Sequence, residues 1–111
     1  MGDVEDAVTA RDVVVGLVDA ASRGLDDAVT ALLHVSPSPG WDEVDLAFWS
    51  ACRGGHLSTV EILFRHGAQL NRCQHHLGQT PLDAAIASGD EDLVRWLRVR
   101  GGSTAAGLRR P

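Results

Sequence analysis

An all-α architecture of three stacked helix–turn–helix units is predicted by three observations. The chain repeats itself in a register of about 34 residues. Ala51-Cys52-Arg53-Gly54-Gly55-His56 falls on Ala85-Ile86-Ala87-Ser88-Gly89-Asp90, and Val60-Glu61-Ile62-Leu63 falls on Val94-Arg95-Trp96-Leu97. Each copy joins a small-residue turn ending in glycine to a helix with one apolar stripe. The last copy also opens on a strong helix-start signal, Thr80-Pro81.

The third unit is the clearest. Thr80 suits the N-cap, Pro81 the first helical position where its missing N–H is harmless, and Asp83 completes a capping box. Gly89 stops this helix, and a second begins around Asp90-Glu91-Asp92 with acids at its positive end. Leu93, Val94 and Leu97 form its apolar stripe before Gly101 ends it. The middle unit repeats this plan, with a helix over about 45–53, a turn at Gly54-Gly55 and a helix over about 57–66. Leu57, Val60, Leu63 and Phe64 share its stripe. The first unit is fainter. Val13-Val14-Val15 has the β-branched look of a strand, but Ala20-Ala21-Ser22-Arg23-Gly24 aligns with Ala51 to Gly55, so register predicts a helix.

These residues resemble the ankyrin-repeat family. Gly78-x-Thr80-Pro81-Leu82-x-x-Ala85 is similar to the opening of that family's consensus. Gly55-His56-Leu57-x-x-Val60-x-x-Leu63-Phe64-x-x-Gly67-Ala68-x-Leu70-Asn71 is similar to its second half. The resemblance implies an ankyrin-repeat solenoid with short finger loops, occupying the whole chain as one domain. Its units are expected at about 10–40 (an N-terminal cap), 41–73 and 74–104 (a C-terminal cap), with a tail at 105–111. There are departures. The middle unit has Leu46-Ala47 where the family has Thr-Pro, the link from His34 to Asp45 is irregular, and the finger from Asn71 to Gly78 is one residue longer than usual. Glu91 stands where the middle unit has Leu57, and Arg98 where it has Phe64, which makes the last outer face more polar.

Bulk properties narrow the function classes. No apolar run approaches the roughly 18 residues that span a bilayer, and the first residues are acidic where a secretory signal is basic. Cys52 and Cys73 are too few for a disulfide framework, so a reducing, cytoplasmic setting is expected. All ten basic side chains are arginine, which reads as a GC-rich coding sequence of a kind common in bacteria. The net charge of −5 is unevenly spread: residues 1–45 are strongly acidic and residues 46–111 mildly basic. An acidic balance without a basic stripe argues against nucleic acid as a partner, and nothing points to a membrane.

In the resembled family, partners are held by finger tips and by the concave face of the inner helices. That implies Trp41, Asp42, Glu43 and Asp45 before the second unit, and Arg72, Gln74, His75, His76 and Gln79 before the third. From the inner-helix ends it implies Arg23, Arg53 and Ser88. Trp41 follows the stiff stretch Ser36-Pro37-Ser38-Pro39-Gly40. An exposed Trp there would be a binding hot spot, but folding back over the helices is the favoured reading. Trp49 and Trp96 are expected in packing, His56 as a structural part of its turn, and Cys52 as buried and inert. Cys73, His75 and His76 are metal-ligand types, yet their spacing is not that of a structural zinc site and a fourth ligand is missing; a polar finger tip is the better reading. No nucleophile elbow, phosphate loop or dinucleotide fingerprint is present. The expectation is therefore a non-enzymatic module, without cofactor or metal, that binds another protein and is itself a monomer or weak homo-oligomer. The alternative is a regulator, an immunity- or antitoxin-like inhibitor using its acidic N-terminal half.

Overall fold

The computed structural model describes residues 10–35, 39–74 and 78–109, with side chains from Gly16 onward. Among these residues seven helices follow in order: α1 (Ala10–Arg23), α2 (Asp26–Leu33), α3 (Trp41–Gly54), α4 (Leu57–Arg65), α5 (Pro81–Ser88), α6 (Glu91–Val99) and the short α7 (Ala105–Leu108). Among the described residues there is no strand, only an isolated antiparallel bridge between Gln74 and Gln79. Helices α1, α3 and α5 pack successively into an inner layer, and α2, α4 and α6 each back their own inner partner. The result is a slab with extents of 57 × 25 × 20 Å.

Small residues set the spacing of the inner layer. Ala20, Ala21, Ala47, Ala51, Ala84 and Ala85 are all buried where neighbouring helices meet, and short side chains let helix axes approach closely. Leu17, Phe48, Leu63, Leu93 and Leu97 fill the space between layers with no exposed surface. Burial on this scale is worth about 1.5–3 kcal/mol for each large side chain. The β-branched run at Val13 to Val15 lies within α1, so register outweighs local strand preference.

Helix starts differ among the units. Thr80 and Asp83 form the expected capping box: the Thr80 N–H donates to Asp83 Oδ2 at 3.0 Å, and the Asp83 N–H donates to Thr80 Oγ1 at 3.3 Å. Asp90 accepts from the Leu93 N–H at 3.0 Å at the start of α6. Helices α2, α3 and α4 have no such side-chain cap. The turns between inner and outer helices need a left-handed residue, supplied by Gly55 at φ 74° and Gly89 at φ 82°.

His56 is structural, as its position in the turn implies. Its Nε2 lies 3.0 Å from the Ser22 carbonyl and so carries the proton, tying the middle unit to the first. A Cβ on Gly24 would fall 2.6 Å from His56 Nδ1, and one on Gly54 2.7 Å from its Cδ2. Both glycines make room for the ring. A second tie runs from Ser58 Oγ to Asp26 Oδ2 at 2.6 Å, joined by the Thr59 hydroxyl donating to the other oxygen.

One boundary differs from expectation. The first helix of the middle unit starts at Trp41, a full turn before Asp45. Asp42 and Glu43 then occupy its first turn, where the helix dipole favours acids, and Val44 is buried against the core.

Candidate interaction edge

The extra turn of α3 gives the molecule its most distinctive surface. Trp41 does not fold back over the helices; it is 63% exposed. The Arg72 guanidinium lies 4.1 Å from its ring centroid, in a cation–π contact. Arg72 Nε is also 3.9 Å from Asp45 Oδ2. Trp41, Gln69, Asn71 and Arg72 line a shallow cleft of about 350 Å³.

Asp45 holds this arrangement from below. It is 2% exposed, and its Oδ1 accepts the Gln69 N–H at 2.7 Å. In the third unit the comparable anchoring falls to Thr80 and Asp83, which bind the Ser103 carbonyl at 2.7 Å and the Ala105 N–H at 2.9 Å. The middle unit lacks that threonine, and Asp45 takes over its task from one position earlier. Asp45 is thus turned into the protein and offers no surface to a partner. Burial raises its pKa, opposed by the Gln69 N–H and the Arg72 charge. At the same helix end, Glu43 and Asp42 share a side-chain hydrogen bond, which raises the Glu43 pKa and lowers that of Asp42.

The remaining expected residues divide between two places. Gln74 and Gln79 pair through the Gln74 N–H and Gln79 carbonyl at 2.9 Å, at the base of the finger. His75 and His76, expected at its tip, lie outside the described residues. Arg23 and Arg53 are exposed at the C-terminal ends of α1 and α3, which puts Arg53 roughly 18 Å along α3 from Trp41 at 1.5 Å per helical residue. Arg23 is paired with Asp19 at 3.3 Å. Ser88 is absorbed by its own turn: its hydroxyl donates to the Ala85 carbonyl at 2.6 Å and accepts from the Asp90 N–H at 3.2 Å. Gln69 and Asn71 complete the cleft; neither was among the expected contact residues, although Asn71 closes the consensus match. Asn71 also fastens the next unit, accepting from the Ser103 N–H at 2.8 Å and donating to the Gly101 carbonyl at 3.1 Å.

The other aromatic groups and Cys52 are packing elements. Phe64 meets Trp96 edge-on at 5.4 Å between ring centroids, and Arg100 covers Trp96 at 4.0 Å. Trp49 packs against the core. Cys52 is fully buried, and desolvation pushes its thiol far above the reactive range.

A stack of antiparallel helix pairs with glycine turns and a finger-side cleft defines a helical repeat protein. Residues 17–104 match the family described as ankyrin repeats (3 copies), and the chain belongs to that family. The crystal structure of the human ASB11 ankyrin repeat domain is similar, with a TM-score of 0.66 and 28% identity over 78% of this chain. The match covers 40% of that structure. The NF-kappa-B inhibitor cactus of Drosophila yakuba is 40% identical over 47 residues, which is 42% of this chain and 10% of that protein. Its Drosophila melanogaster counterpart matches equally over 9% of its length. This chain therefore spans only about a tenth of those relatives. Ankyrin repeats generally serve as protein–protein interaction modules. Among the described residues, no helix is long and apolar enough to cross a membrane.

Proposed function

We propose that this chain is a non-enzymatic binding module that takes a partner protein along the finger edge centred on Trp41 and Arg72. The observation that carries this is an exposed tryptophan, held by a stacked arginine, at the mouth of a cleft. Trp and Arg are the residue types that dominate binding hot spots, and Arg72 fixes the ring before a partner arrives. Asp42, Gln74 and Gln79 extend this edge, and His75 and His76, between them in sequence, are expected to contribute to it. Arg23 and Arg53 mark the opposite end of the concave face and serve as internal controls. The test is co-purification with the tagged full chain. Trp41→Ala and Arg72→Ala are expected to weaken capture at least tenfold, as hot-spot truncation costs about 2 kcal/mol or more. Wild-type capture by both, with loss in Arg23→Ala and Arg53→Ala, would move the site to the other end.

A second reading is that the module acts as an inhibitor whose acidic N-terminal half covers a basic site on its target. It is favoured by Asp42 and Glu43 beside Trp41 and by the likeness to a protein named as an NF-kappa-B inhibitor. On that reading binding weakens as salt rises. Affinity that does not change with salt would leave only the first reading.

A further inference from the structure

The C-terminal face of the stack retains the form of a packing surface. In the 34-residue register, Ile86 occupies the place of Cys52 and Val94 that of Val60, and Cys52 and Val60 are fully buried by their neighbours. Ile86 is instead 46% exposed, and Val99 on the same face is 75% exposed. With Gly89 and Val94 they floor a groove of about 590 Å³, rimmed by Glu91, Arg95 and Arg98.

The rim carries the second observation. Arg95 is engaged by Asp92 at 3.3 Å, but Glu91 and Arg98 form no ion pair among the described residues. They lie seven residues apart on α6, two helical turns along one face, with Val94 and Arg95 midway between them. An apolar floor flanked by one free charge of each sign, equidistant from a central point, is self-complementary. A two-fold axis near Val94 brings Glu91 of one copy against Arg98 of the other, and the reciprocal pair forms at the same time.

We propose that a second copy of this chain occupies this groove, in a tail-to-tail dimer made by antiparallel crossing of the two α6 helices. The end face is made by α5 and α6, helices of only eight and nine residues. That limits the buried area to about 500 Å² per copy, below the roughly 800 Å² of a standard stable interface. The dimer is accordingly weak and reversible, and it leaves the Trp41 edge of each copy free.

Sedimentation equilibrium of the full chain from about 10 μM to 1 mM tests this, the range where such small interfaces dissociate. The apparent mass is expected to rise towards two copies and no further. Arg98→Glu and Glu91→Arg are each expected to weaken association at least tenfold, because each sets like charges opposite one another. An equimolar mixture of the two is expected to restore it as a heterodimer. Val99→Glu, at the most exposed apolar position, is expected to dissociate the dimer as the single charge reversals do. A wild-type chain that stays monomeric throughout would overturn the proposal. So would growth beyond dimers, the mark of head-to-tail stacking, or a mixture that fails to recover.

Discussion

Asp45 shows how one side chain can replace a missing motif. It is buried and its Oδ2 has no hydrogen-bond partner, with Arg72 Nε at 3.9 Å as its nearest compensation. Because burial raises its pKa from 3.8, the folded state binds the proton more tightly than the unfolded chain. Its contribution is therefore most favourable below the ordinary carboxylate value and declines as pH rises through the higher folded value. Asp45→Asn keeps an acceptor for the Gln69 N–H and removes the buried charge. Its thermal midpoint is expected to gain on wild type as pH is raised from 3 towards 7; parallel curves would show that Asp45 carries no such penalty. Asp45→Ala, which leaves the Gln69 N–H without its acceptor, is expected to cost about 1–2 kcal/mol at neutral pH in denaturant titrations.

At the level of the helix, the units are held in different ways. The third relies on local chemistry, since Thr80 and Asp90 cap α5 and α6 with side-chain hydrogen bonds. The first two rely on packing and on the ties made by His56, Ser58 and Thr59. Thr80→Ala removes the cap and the Ser103 anchor together, and is expected to cost about 1–2 kcal/mol, read as a melting-point loss of roughly 5 °C per kcal/mol. Leu63→Ala opens a cavity in the centre of the stack, at an expected cost of about 2–5 kcal/mol by chemical denaturation. These differences were partly legible. The Thr80-Pro81 signal, the glycine turns and the apolar stripes are local, and they located α4, α5 and α6 within a residue or so. The start of α3 was not legible, because Gly40 has no capping side chain and its first turn replaces a finger that the repeat led one to expect. Nor was the Arg72 contact on Trp41, which is made across the fold between residues far apart in sequence.

Among the described residues, the stack has a protected centre. Helix α3 is covered by α1 on one side and α5 on the other, so in a repeat array it gains both interface energies. Hydrogen exchange is expected to be slowest at Phe48, Ala51 and Leu63 and fastest in α7; equal protection along the chain would mean that the units unfold only together. The three tryptophans are spread through this same plan, with Trp49 and Trp96 partly buried and Trp41 in solvent under Arg72. Their emission is consequently divided by position. Trp41 should supply the long-wavelength, acrylamide-quenchable component, while the other two report the packed interior. A ligand that settles on the finger edge would shift and shield the first component alone, whereas unfolding would change all three. The chain thus contains an intrinsic optical probe at the place where its partner is expected, able to distinguish occupancy from denaturation without any attached dye.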